Sequence, residues 1–187
     1  MNWEPFETVD SGVHGEPPRP LGTRGGLEDR LRSAAFAEIQ AREAFLWAAK
    51  KFDETPSELR VAWGKLAVEE DKHMNWLLVR MQELGFEVKA RKVSLRLWDS
   101  FMACKSAQGF ATYMASAEER GRKAGERFWL SLRDSDPVSA EIFRKIAEEE
   151  KEHIALAERF FPGSVTTYLN SQTLSHHVPS RSGILPL

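Results

Sequence analysis

Apolar and small residues recur every three or four positions along most of the chain. Leu27, Leu31, Ala34, Ala41, Phe45, Ala48 and Phe52 form one such stripe and predict an amphipathic helix from Leu27 to Phe52. Asp53, Thr55 and Pro56 follow as turn, cap and first-turn residues. A second stripe, Leu59, Trp63, Leu66, Leu77 and Leu84, predicts a helix that stops at Gly85. A third runs from Ala107 through Ala111, Met114, Gly121, Gly125 and Phe128 to Leu132. Pro137 opens a fourth, with Phe143, Ile146, Ala157 and Phe160 on its stripe, closed by Pro162 and Gly163. Residues 86–105 are less regular, with a short helix expected after Val93. Short loops make sequential helices antiparallel, and a link of this length can carry the chain from one end of a bundle to the other. The expected architecture is therefore all-α, a four-helix bundle of two antiparallel pairs joined by a long crossover. Pro17, Pro18 and Pro20 mark residues 1–26 as an extended N-terminal arm; residues 27–161 form the bundle. Residues 162–187 are polar and poorly periodic and read as a C-terminal tail.

Each stripe has a gap, and an acid fills it. Glu38 lies between Ala34 and Ala41, and Glu118 between Met114 and Gly121. Glu70 and His73 lie between Leu66 and Leu77; Glu150 and His153 lie between Ile146 and Ala157. All six therefore point toward the core. Four carboxylates in one apolar layer are costly to bury and repel one another. Two divalent cations would balance four such charges, and neutral imidazoles add ligands without adding charge. Glu-x-x-His places both side chains on one helix face. Of the five histidines, only these two fall within predicted helices.

The spacing repeats. Glu38 to Glu70 and Glu118 to Glu150 are each 32 residues, and both intervals end in Glu-x-x-His. At an offset of 80, Lys65 matches Lys145, Ala67 matches Ala147 and Glu69 matches Glu149. The repetition points to a pseudo-two-fold bundle in which each helix pair supplies half of a metal site.

Composition adds mainly exclusions. The 187 residues suit one domain, and a formal net charge of −2 gives no footprint for nucleic acid or an anionic membrane. One cysteine, Cys104, rules out an internal disulfide and reads as a small buried hydrophobe. No apolar run is long enough to span a bilayer, and MNWEPFETVD has no signal-peptide core, so a cytoplasmic location is expected. Tyr113, five residues before Glu118, is expected to point away from the acids. Arg120, Arg122 and Lys123 read as a solvated face.

The stretches FAEIQAREAF, VEEDKH, SAEERG and AEEEKEH resemble the ferritin-like superfamily over residues 27–161. More narrowly, the chain is similar to an uncharacterised bacterial ferritin-like family of unknown function. It differs from that family at Phe36, where a histidine is common, and at Arg122 and Lys123, where Leu-Asp is common. The resemblance implies a dinuclear site in which Glu70 and Glu150 bridge two metal ions. Glu38 and His73 would complete one ion, and Glu118 and His153 the other. Iron is expected, with manganese or a mixed manganese–iron pair as alternatives. Glu69 and Glu149, four residues before each histidine, are expected either to hydrogen-bond the free imidazole nitrogens or to be solvated. Gly121 and Gly125 beside Glu118 allow either a pocket or close helix packing. The expected activity is an oxygen-dependent oxidoreductase, a hydroxylase or oxidase, using dioxygen, a small substrate and an electron donor. Iron handling as a ferroxidase, or a metal that only stabilises an interaction protein, are the alternatives, and a homodimer is left open.

Overall fold

The computed structural model of the chain describes residues 1–168. It is all-helical, with four long helices: α1 (Arg24–Lys51), α2 (Ser57–Glu83), α4 (Ala107–Leu132) and α5 (Pro137–Phe160). A short helix, α3 (Arg96–Met102), and a 3-10 turn over Val88–Ala90 lie in the link between the second and third of these. α1 packs mainly on α2 and α4 on α5, and the two pairs meet through α1 with α4 and α2 with α5. Among the described residues there is no strand, only one isolated bridge between Thr8 and Val93. None of these helices is long and apolar enough to cross a membrane.

Local chemistry sets the helix ends. The hydroxyl oxygens of Thr23 and Ser106 accept from the backbone of Gly26 and Gly109, at 3.0 and 3.1 Å. The Asp136 carboxylate accepts from the Ser139 backbone at 3.1 Å, with Pro137 in the first turn. α2 stops where Gly85 adopts φ +66°, and the Phe86 N–H donates to the Met81 carbonyl at 2.9 Å. α1 begins at Arg24, three residues before the apolar stripe, because the Thr23 cap supplies what the stripe does not.

The core is divided. One apolar cluster joins Phe45, Phe52, Trp63, Phe101 and Phe110, the last in ring contact with all four others. A second cluster joins Phe6, Leu31, Phe36, Leu77, Met81 and Phe143. Along α1 the second cluster runs up to Ile39 and the first starts at Ala41; on α2 the first ends at Ala67 and the second starts at Met74. The acids and histidines occupy the layer between.

α1 buries a second face that its apolar stripe does not announce. Asp29, Arg32, Phe36 and Gln40 are all buried on it. Arg32 donates to the carbonyls of Glu87 and Val88, each at 2.9 Å, and Gln40 accepts from the Trp98 N–H at 2.9 Å. Asp29 accepts from Arg19 at 2.6 Å and pairs with Arg91 at 2.5 Å. Burial pushes the Asp29 carboxyl up, but hydrogen bonds from Arg19 and the charge of Arg91 outweigh it and hold it well below the usual range. Trp3 and Phe6 lie against Phe36, with ring centroids 5.9 and 5.0 Å away. At the other end, residues 164–168 form a further helical turn, with Val165 buried. The remainder of the expected C-terminal tail lies outside the described residues.

Candidate metal centre

The six stripe-breaking residues meet in one buried layer. Glu70 and His73 are 0% exposed, Glu150 and His153 2% and 3%, and Glu38 and Glu118 8% each. Each comes from a helix whose apolar stripe faces inward, so the same periodicity that buries Leu77 or Phe143 buries the acid in the gap. They form two overlapping groups, Glu38, Glu70, His73 and Glu150, and Glu70, Glu118, Glu150 and His153. Within each group the ligand atoms lie within 4.8 Å of one another. Glu70 and Glu150 belong to both. The two imidazoles face each other with centroids 5.9 Å apart and planes 23° from parallel.

The inner atoms converge without bonding. His153 Nδ1 lies 2.9 Å from Glu70 Oε1 and 3.1 Å from Glu150 Oε2. His73 Nδ1 lies 3.5 Å from Glu150 Oε1 and 3.9 Å from Glu70 Oε2. Yet both Nδ1 atoms, both oxygens of Glu70, Glu118 Oε1 and Glu150 Oε2 are buried with no hydrogen-bond partner. Native interiors rarely leave such groups unpaired, because each costs roughly 1–3 kcal/mol or more when charged. Burial, and then the charge of Glu150, pushes the carboxyls of Glu70 and Glu118 well above the usual range. Burial also raises Glu38. Burial would raise Glu150 too, but the neighbouring imidazoles of His153 and His73 bring it down to about 2. His153 moves the other way: burial lowers it, but Glu150, Glu118 and Glu69 carry it up to about 10. The layer therefore attracts positive charge, as protons or as metal ions.

The outer nitrogens of the two rings are bonded, and the partners are crossed. His73 Nε2 lies 2.7 Å from Glu149 Oε2, and His153 Nε2 lies 2.9 Å from Glu69 Oε2. Glu69 and Glu149 precede the histidines of their own helices by four residues, but each reaches the ring on the facing helix. α2 and α5 lie side by side here, so the neighbouring ring is nearer the solvent-side carboxylate than the one a turn ahead. Lys72 Nζ sits 2.6 Å from the same Glu149 oxygen. In the neutral ring, a carboxylate at Nε2 favours the tautomer with the proton there, which leaves the Nδ1 lone pair aimed inward.

A cavity of about 300 Å³ adjoins the layer on the α1–α4 side, with Glu38, Glu118 and Glu150 in its wall. Its remaining lining is mostly small or apolar and includes Ala34, Ala37, Ala41, Gly121 and Phe128. The two glycines differ. A Cβ on Gly121 would meet nothing within 4 Å, whereas on Gly125 it would lie 3.2 Å from the Phe143 carbonyl oxygen and 3.3 Å from Ala147 Cβ. Gly121 thus leaves space open, and Gly125 allows α4 and α5 to approach closely.

Other residues singled out by the sequence lie elsewhere. Tyr113 stacks edge-on against Phe101 and belongs to neither carboxylate–imidazole group. Arg122 and Lys123 pair with Glu119 on their own helix, and Arg120 donates to Ser116. Cys104 is half-buried, and burial raises its thiol. The apolar stripes do not single out Arg30 and Ser33, which also line the cavity, or Lys72 behind His73. Arg30 had a signal: it is a basic residue one turn before Ala34 and two before Glu38, on the face that should have been apolar.

Fold and layer together define an all-helical protein with buried glutamate–histidine groups that can hold a metal ion. The chain belongs to the family described as "Protein of unknown function (DUF455)", whose model matches residues 13–173. No curated protein and no solved structure matches it.

Proposed function

We propose that this chain is a ferritin-like four-helix bundle that holds two metal ions and acts as an oxygen-dependent oxidoreductase on a small substrate. The reading rests on the six buried ligand-type atoms that converge without hydrogen bonds. Two divalent cations would match the four carboxylates in charge and satisfy those atoms. Glu70 and Glu150, shared by both groups, would be ligands common to both ions. Glu38 and His73 would complete one ion, and Glu118 and His153 the other. Oxygen and imidazole donors suit iron, or a manganese-containing pair, better than copper. A bound and reduced pair of iron ions would supply two electrons to dioxygen.

The chain's own residues do the rest. Glu149 and Glu69 accept from the Nε2–H groups and fix the ring orientations. The two apolar clusters exclude water above and below the layer. The cavity offers a substrate site against Glu38 and Glu118. That cavity favours an oxidoreductase over iron handling or a purely stabilising metal, neither of which needs enclosed apolar space beside the ligands. An electron donor is then required as a partner.

Elemental analysis of natively purified protein tests the reading. Two metal equivalents per chain are expected, lost in Glu70→Ala and in Glu150→Ala. Metal-free wild type, or variants that retain both equivalents, would overturn it. Gel filtration addresses storage separately: a monomer or dimer cannot enclose a mineral, whereas a large closed shell would favour the ferroxidase alternative.

A further inference from the structure

One charged residue of the cavity wall has no role in holding metal. Arg30 stands eight residues before Glu38 on α1, about 12 Å along the helix axis. Its guanidinium lies 5.8 Å from the centroid of Phe128, another wall residue. Among the described residues Arg30 forms no ion pair and no hydrogen bond, and its Nη1 is shut off from water without an acceptor. The neighbouring acids are already engaged: Glu28 and Asp29 pair with Arg19 and Arg32, and Asp29 also with Arg91. A buried guanidinium nitrogen left without an acceptor is costly unless an anion arrives to meet it.

The cavity is thus polarised along its length. A cation stands at one end, the carboxylate layer at the other, and alanines, Gly121 and Phe128 lie between. An adjoining groove shares Arg30 and Ser33 and adds Arg32, Arg91 and Lys92 together with the acids Glu16 and Asp29; both acids pair with Arg91, whereas Lys92 is exposed and has no ion pair among the described residues.

We infer that the cavity binds an apolar molecule ending in a single carboxylate. The carboxylate seats on Arg30, whose planar fork matches it. The apolar body runs along Ala34, Ala37 and Gly121 and presents its far end to the layer. A phosphate dianion fits less well, because among the described residues Arg30 is the one cationic side chain in the cavity wall and the Ser33 hydroxyl its chief companion donor. The inference rests on the dinuclear reading for what happens at the inner end, but not for the anchor itself.

Calorimetric titration with octanoate and with octanol tests it. The samples are wild type, Arg30→Gln, Arg30→Lys and Gly121→Leu, each with its metal content measured and its folding checked by melting. Octanoate should bind wild type 10- to 100-fold more tightly than octanol, about what one charged hydrogen-bonded pair contributes. Arg30→Gln should remove that difference and leave octanol binding unchanged; Arg30→Lys should recover part of it. Gly121→Leu, which fills the space with Arg30 intact, should abolish binding of both. Octanoate affinity unchanged in Arg30→Gln would overturn the anchor, since the carboxylate would then sit on the metals or elsewhere. So would metal-replete wild type that ignores octanoate. Metal-free wild type that still binds octanoate through Arg30 would instead overturn the dinuclear reading and leave the anchor standing.

Discussion

At the scale of single residues, the two outer glutamates are the most informative. Glu149 and Glu69 touch no inner atom of the site, yet each contacts the far nitrogen of an imidazole. Removing such a partner frees the ring to rotate and lowers its basicity. Glu149→Gln and Glu69→Gln should each weaken metal affinity about 10- to 100-fold while leaving the proposed stoichiometry of two unchanged, read by competition against a chromophoric chelator. A pair of variants that bind as wild type would show both carboxylates to be bystanders. The inner acids were legible in the sequence because a carboxylate within an apolar stripe is conspicuous. The crossing of the outer partners was not, because nothing in one helix says which neighbour its solvent-side residues will face.

At the scale of elements, Asp29 joins the N-terminal segment, α1 and the crossover through Arg19, Arg32 and Arg91. Asp29→Asn should cost about 3 kcal/mol in unfolding free energy, since it leaves the buried Arg32 and the half-buried Arg91 guanidinium groups short of their counter-charge. Because its carboxyl is held below its ordinary value of 3.8, the folded state binds that proton less readily than the unfolded one. Its stabilisation is therefore complete above that value and fades as pH falls through it. Acid unfolding followed by circular dichroism should show a shallower slope below about pH 4 in the asparagine variant. Phe110, fully buried among the rings of Phe45, Trp63 and Phe101, carries the other half of the core. Phe110→Ala should cost about 4 kcal/mol by denaturant titration and leave the metal layer's ligands unchanged. The apolar stripes located all four long helices because burial of one face is what periodicity reports. The second buried face of α1 stayed hidden because Asp29, Arg32 and Gln40 read as solvent-facing. Their burial depends on partners supplied by residues 19, 87–91 and 98, far away along the chain.

At the scale of the whole molecule, the apolar core is split by a polar layer, and the two halves meet only around it. Without cations the layer must take up protons or hold unpaired charge, so on the proposed reading metal binding and folding would be coupled. Chelation should lower the thermal midpoint by at least about 5 °C, the size expected when a domain of this length loses two or more kcal/mol. A scan with and without chelator measures it, and coincident curves would mean that the layer is stable on protons alone. The cavity was only partly legible at this scale. Small residues at Ala34, Ala37, Ala41 and Gly121 permit a void, but small residues equally permit close contact, as Gly125 shows against Phe143 and Ala147.

The pseudo-two-fold arrangement is imperfect at one position. Lys72 neutralises Glu149 behind His73, but the residue 80 places on is Glu152, and among the described residues no lysine or arginine pairs with Glu69 behind His153. The two rings therefore differ in electron donation, His153 being the richer. Ions seated there would not be twins: loading should proceed in two stages, and the ion beside His153 should be the last to leave under a slowly rising chelator concentration.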